Sequence, residues 1–305
     1  MAAGRCAHGA AALHGRLLVC GGYDRARVLR DAEAYCPARD AWEPLPGMRG
    51  PRARFPAARL GDAVWALGGS DGHAELDSVD AFEAGAWRAR ARLPQPLSHA
   101  AAAADEEAGA LYVLGGWAAG GNLRRVHRYS PREDAWAEAP PLSTGRAQCG
   151  GVWWEGALWA LGGCDAWHCL ASTERLARGA AAWQAGPPLP TARRSVGASE
   201  WRGALVAAGG SDGAASLRRT DTLAPRGAAW RAGPPLRRAR AGLALVPLDG
   251  TLYAVGGFDG KEFLSCMECL YHPDGEWTAL RDPPPPPPPR SPLAQEAEEP
   301  PPAAQ

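Results

Sequence analysis

The residues best equipped for chemistry in this chain are seven histidines and eight cysteines. A copper site would need histidine and tyrosine ligands converging on one point. His8, His14, His73, His99, His127, His168 and His272 are scattered and show no such grouping. Cys266-Met267-Glu268-Cys269 has the spacing of a zinc knuckle, yet on a strand residues three apart point to opposite faces, and no second pair accompanies it. Cys164, Asp165, His168 and Cys169 share one loop and make the better metal candidate; ordinary half-buried thiols are the simpler reading. Ser70-Asp71-Gly72 and Ser211-Asp212-Gly213 lack the spacing of sialidase boxes, and turn chemistry accounts for them. No nucleophile elbow or phosphate-binding glycine loop occurs. The chain therefore reads as non-catalytic and without a cofactor, with an enzyme or a metal-binding protein as the competing class.

The composition narrows the field further. Thirty-three cations balance 33 acids over 305 residues, so the excess of positive charge that a nucleic-acid surface needs is missing. No run of 18 apolar residues is present to cross a membrane, and the first residues do not read as a signal peptide. The cysteines are too dilute for a disulfide scaffold, and Asn122, the single asparagine, is not in a glycosylation motif. The expectation is a reduced protein of the cytoplasm, with the nucleus also open to it. Arginine supplies all but one of the cations, alongside abundant alanine, glycine and proline. That joint bias fits coding-sequence composition and carries no functional weight. Glycine and proline make about 22% of the chain, which favours turns over helix.

Those residues must be held by something, and the sequence shows what. Paired glycines begin at Gly21, Gly68, Gly115, Gly162, Gly209 and Gly256, each 47 residues after the last. Eight positions further on stands a leucine in every unit, from Leu29 to Leu264, and fourteen further on an aromatic or leucine, from Tyr35 to Leu270. Trp42, Trp136, Trp183, Trp230 and Trp277 keep a third beat at 21 positions; the second unit has Trp87 two residues early and is read as regaining them before His99. Each unit reads as four short strands. In one, 150–154 and 157–161 form the first two, a third lies near 173–176, and a fourth holds Trp183. Six four-stranded units of this length predict an all-β, six-bladed propeller over residues 1–281.

The segments Val19-Cys20-Gly21-Gly22-Tyr23-Asp24, Ala66-Leu67-Gly68-Gly69-Ser70-Asp71-Gly72 and Ala254-Val255-Gly256-Gly257-Phe258-Asp259-Gly260 resemble the kelch-repeat family over roughly residues 5–281. Pro51-Arg52-Ala53-Arg54-Phe55, Trp167-His168-Cys169-Leu170 and Phe258-Asp259-Gly260-Lys261-Glu262-Phe263-Leu264 narrow this to the group with BTB and BACK domains ahead of the propeller. The resemblance implies a non-catalytic protein-binding module, either actin-binding or a substrate receptor of a cullin-RING ubiquitin ligase. Neither BTB nor BACK is in this sequence, so a fragment and a bare propeller both stand as expectations. Many kelch rings close by exchanging a strand. Here residues 6–13 supply a first strand and Trp277 a last, so closure without exchange is expected.

Repeats also separate structure from function. A residue in every unit serves every blade, whereas one unique to a loop is free to bind. The loops after the glycine pairs hold Tyr23, Arg25, Arg27, His73, Glu75, Trp117, Asn122, Trp167, His168, Phe258, Lys261 and Phe263. The resemblance adds the loops entering each first strand, with Arg54, Phe55, Gln148, Arg194 and Ser195, to the same ligand face. These seventeen are the candidate partner-binding residues, since loop aromatics beside charges make interface hot spots. Periodic charges make a further case. Arg5, Arg52, Arg146, Arg193 and Arg240 stand sixteen before the glycines, and Glu33, Asp80, Glu174, Asp221 and Glu268 twelve after. The third unit lacks both, with His99 and His127 read at those places, so each pair is expected within one blade. The alternative puts the arginines on the ligand face. Finally, 282–305 reads as a disordered proline-rich tail whose seven consecutive prolines suit an SH3, WW or profilin-like partner.

Overall fold

The computed structural model describes residues 1–280. The tail at 282–305 and the docking role read into it lie outside the described residues. Six four-stranded antiparallel sheets follow one another in chain order, plus a two-residue ribbon pairing Trp117–Ala118 with Gly121–Asn122. Blade one consists of β1 (Gly9–Leu13), β2 (Arg16–Cys20), β3 (Ala32–Cys36) and β4 (Ala41–Leu45), paired in that order. The other first strands are Ala57–Leu60, Ala101–Asp105, Gly150–Trp154, Gly197–Trp201 and Ala244–Leu248, and neighbouring first strands touch all the way round. Every blade is built from a single unit, and among the described residues no strand is exchanged.

The hydrophobic core lies between blades rather than within them. Six buried clusters each draw on two neighbours; one joins Trp65, Val79 and Leu93 of blade two to Leu111, Val113 and Tyr129 of blade three. The cluster of Leu17, Val19 and Tyr35 with Val246, Tyr253 and Met267 closes the circle between blades one and six. Second strands such as Ala157–Leu161 are buried along their whole length, as strands covered on both faces must be. Trp183 and Trp277 stand just before their assigned fourth strands, at Gln184–Gly186 and Thr278–Ala279, and are 8% and 1% exposed.

The paired glycines are where the next blade docks. Gly115 has φ +62°, and a Cβ there would sit 2.3 Å from the carbonyl oxygen of Arg146. The following amide, on Gly116, donates to that same oxygen. Equivalent bonds run from Gly22 to Arg52, Gly163 to Arg193 and Gly210 to Arg240. Gly257 donates to the carbonyl of Arg5, so the first and last units close the ring by the contact that joins every other pair.

The periodic arginines carry a second job. Arg5 meets Glu33 at 2.6 Å, Arg52 meets Asp80 at 2.5 Å, Arg146 meets Glu174 at 2.5 Å and Arg240 meets Glu268 at 3.1 Å; Arg193 pairs with Asp221 in the same way. All five pairs lie within one blade and are buried, which removes these arginines from any ligand face. Each guanidinium also donates to the first glycine carbonyl of its own unit. The main chain thus holds the preceding blade while the side chain holds its own. Burial lowers the pKa of Arg52 and Arg193, against the opposing pull of Asp80 and Asp221.

The third unit corrects the register read from the sequence. Gly69 donates to the carbonyl of Leu97, and Leu97 donates to Leu76, the two bonds that Arg52 makes one blade earlier. Leu97, 1% exposed, is therefore the residue at the arginine's place, and His99 is not. The two residues lost ahead of Trp87 are regained only after the strand Ala101–Asp105. There a four-residue turn, Glu106-Glu107-Ala108-Gly109, replaces the two-residue turn His14-Gly15 of blade one. The exception still supports pairing inside a blade, because His127 holds the acid's place opposite a leucine.

Candidate functional site: the axial mouth and its loops

One residue from each unit forms a closed belt of backbone hydrogen bonds around the axis. Ala7 accepts from Arg54, Arg54 from His99, His99 from Gln148, Gln148 from Ser195, Ser195 from Gly242 and Gly242 from Ala7, all at 2.7–3.0 Å. All six sit in the left-handed region, with φ between +50° and +64°, and five of them are not glycine. Such backbone costs about 1 kcal/mol or more per non-glycine residue and concentrates at functional sites. The belt presents the side chains of Arg54, His99, Gln148 and Ser195 around one opening. Ser195 Oγ donates to Gln148 Oε1 at 2.6 Å. His99 was missed as a site residue, and the early Trp87 was the signal that pointed to it.

The next residues inward, His8, Phe55, Ala100, Cys149, Val196 and Leu243, line a cavity of about 170 Å³ under the mouth. Phe55 belongs to this tier and not to the exposed face: it is 5% exposed, packed into the blade one–two core, with the Arg52 guanidinium over its ring. Its expected role as a partner contact is corrected accordingly, because the left-handed turn at Arg54 directs the next residue inward.

The loops beyond the glycine pairs rise around this opening. Five are folded by an aspartate that accepts two amide bonds from its own loop: Asp24, Asp71, Asp165, Asp212 and Asp259. The amide donors hold Asp71, Asp165 and Asp212 below the usual carboxylate range. Tyr23, Phe258 and Phe263 come together across blades one and six, with ring centroids 5.7 Å (Tyr23–Phe263) and 5.2 Å (Phe258–Phe263) apart. Arg25 covers Phe263 and donates to the carbonyl of Lys261. Trp167 is 85% exposed, beside exposed His168. Trp117 and Asn122 face each other in the ribbon, His73 is exposed, Glu75 is half-buried opposite Ser70, and Arg27 lies near Asp24 and Asp31.

Two guanidiniums stand at the mouth. Arg54 is exposed and Arg194 half-buried, and neither makes an ion pair among the described residues. Burial, then Arg54 and Arg194, pull His99 down to about 4. His8 is pulled down to about 3, mainly by burial, with Arg5 and Arg240 adding. Both values lie below the ordinary 6.5, so as pH falls the unfolded chain takes up these protons first. Stability is therefore complete above about pH 6.5 and declines as pH drops toward 4. Melting curves at pH 7.5 and 5 should show that loss, and a His8→Leu variant should show less of it; an unchanged pH profile in that variant would remove His8 from the explanation.

Among the described residues no group of three or more histidine, cysteine or acidic side chains is placed to hold a metal ion. Cys266 Sγ instead accepts from Arg240, and Cys164 and Cys169 approach backbone carbonyls. What the fold and mouth define is a ring-shaped scaffold that offers one loop face. The family model described as "Kelch motif" matches residues 4–49, 108–143 and 239–284. The chain is a six-bladed propeller that carries kelch motifs at those three places. Human Kelch-like protein 33 is 36% identical over 139 residues, 43% of this chain and 26% of that protein. Human Influenza virus NS1A-binding protein is 45% identical over 67 residues, 22% of this chain and 10% of that protein. Mouse Kelch-like protein 35 is 31% identical over 152 residues, 48% of this chain and 25% of that protein. These matches span about a quarter or less of the length of each relative. The solved "Structure of YjhT" superposes with a TM-score of 0.77 at 15% identity, covering 91% of this chain and 98% of that one, and shows the shared fold.

Proposed function

We propose that this propeller is a non-catalytic interaction module that captures a carboxylate-bearing segment of a partner protein over the axial mouth. The observation that carries it is the belt of strained backbone, which aims Arg54, His99, Gln148 and Ser195 at one opening bordered by Arg194, which makes no ion pair among the described residues. The loop acids Asp71, Asp165 and Asp212 accept amide bonds of their own loops and make no ion pair with either guanidinium. The aromatic group of Tyr23, Phe258 and Phe263 and the free-standing Trp167 supply apolar anchors at the rim. The kelch-like relatives favour two finer roles, receptor for substrates of a cullin-RING ubiquitin ligase or actin binder. The first needs a BTB domain on another part of the protein or on a partner chain.

Selection from a random peptide library should enrich aspartate and glutamate. Arg54→Ala, Arg194→Ala and Trp167→Ala should each weaken the selected peptide by tenfold or so, a loss above 1 kcal/mol, with little change in melting temperature. Phe258 is a poorer probe than its loop position suggests, because its half-buried ring packs on Phe263 and its removal also loosens the loop. Peptides bound equally by all three variants would dismiss the mouth as the site.

A further inference from the structure

The geometry points to Cys164 and Cys169 as a disulfide-forming pair that closes the blade-four loop. The two residues face each other across the small hairpin that carries Trp167 and His168. Asp165 donates to the carbonyl of His168, and Leu170 to that of Gly163, so the flanking residues exchange the bonds and the cysteines between them exchange none. That is the non-hydrogen-bonded type of antiparallel pair, with Cα atoms about 4.5 Å apart and side chains on one side. A disulfide spans Cα separations of about 4.4–6.8 Å, so the backbone already stands within reach.

The setting is specific to this blade. The same two positions hold Tyr23 and Val28, Ser70 and Glu75, Trp117 and Asn122, Ser211 and Ser216, and Phe258 and Phe263 in the other units. Both thiols are free and half-buried, so a small oxidant reaches them, whereas Cys20, Cys149, Cys266 and Cys269 are buried. Cys164 Sγ approaches the carbonyl of Ala147 and Cys169 Sγ that of Ser211, both at 3.6 Å. Rotating the two side chains toward each other gives up these weak contacts and the one between Cys164 and the Arg194 side chain. Burial raises the Cys164 thiol pKa, Arg194 opposes it, and the neighbouring Cys169 raises it further.

Glutathione disulfide is a sufficient oxidant. A thiolate of the pair attacks one of its sulfurs, forming a mixed disulfide and releasing one glutathione thiolate. The facing cysteine, on losing its proton, then attacks the protein-bound sulfur and expels the second glutathione. Two protein thiols are oxidised to one disulfide, one glutathione disulfide is reduced to two thiols, and the two protons pass to the departing glutathione thiolates. The bond would tie Trp167 and His168 into a closed loop at the rim of the mouth. Its formation does not depend on what the face binds, so its test stands apart from that of the partner.

The folded protein is incubated with glutathione disulfide, its remaining thiols are blocked, and it is cleaved before Asp165 without reduction. The expected result is a loss of two hydrogens, with the fragment ending in Cys164 joined to the fragment containing Cys169. Cys149→Ala should retain the link, and Cys164→Ser and Cys169→Ser should each abolish it while keeping the wild-type melting temperature. A loss of two hydrogens that survives Cys169→Ser, which would mark a Cys149–Cys164 bond within the one fragment, overturns the assignment. So does a product carrying only glutathione adducts, or one with every thiol still free.

Discussion

Replacing Arg146 with methionine is expected to lower the stability of the ring by about 3–5 kcal/mol, because it leaves Glu174 buried without its cation. Glu174 would keep the amides of Ser143 and Thr144 but lose a guanidinium at 2.5 Å. The guanidinium's bonds to the carbonyls of Gly162 and Ser172 would go as well. Blade three shows how the same site is filled without charge, with Leu97 and His127. An Arg146→Leu, Glu174→His double variant should therefore recover more than half of the loss, since breaking a buried pair costs more than replacing both partners. Urea unfolding of the two variants against the parent decides it. A single variant within 1 kcal/mol of the parent would show the pairs to be incidental.

Trp183→Ala is expected to cost about 3–5 kcal/mol, the range for emptying a large buried ring position. The ring is 8% exposed and packs in the cluster shared by blades three and four, with Leu114, Val126, Leu158 and Leu176. Its Nε1 donates at 2.7 Å to the carbonyl of Pro140, on the segment that crosses between those blades. Trp230 and Trp277 make the same bond to Pro187 and Pro234. Because this ring fills an interface between blades, the variant should lose melting temperature without first losing any one blade. Calorimetry showing a separate low-temperature transition would contradict that. Trp167→Ala, on its exposed loop, is the control and should leave the transition in place.

Much of this was legible in the chain because repetition gave each structural device several independent copies. Gly115 and its equivalents had to be structural since every unit holds them, and the backbone contact at 2.3 Å supplies the cause. The ion pairs were legible for a subtler reason. Cation and acid vanish together in the third unit, and only partners in one blade lose their charges together. That inference survived even though one of its residues was misplaced.

The sequence by itself determined the blade count, the closure without strand exchange, and which residue types hold each blade to its neighbour. These follow from the 47-residue spacing and from apolar patterns that must be buried. Only the tertiary structure decided the mouth. Phe55 was put on the face by resemblance alone; His99 was assigned from the local pattern, and a shift of two residues leaves that pattern intact, because side chains alternate faces with a period of two. The strand Ala101–Asp105 therefore looks correct in either register, and only its pairing with Ala110–Leu114 reveals where the turn absorbed the difference. The belt from Ala7 to Gly242 is likewise invisible along the chain. Each of its bonds joins residues more than forty positions apart, and the left-handed backbone that makes it possible falls on five residue types other than asparagine or aspartate, with one glycine between them.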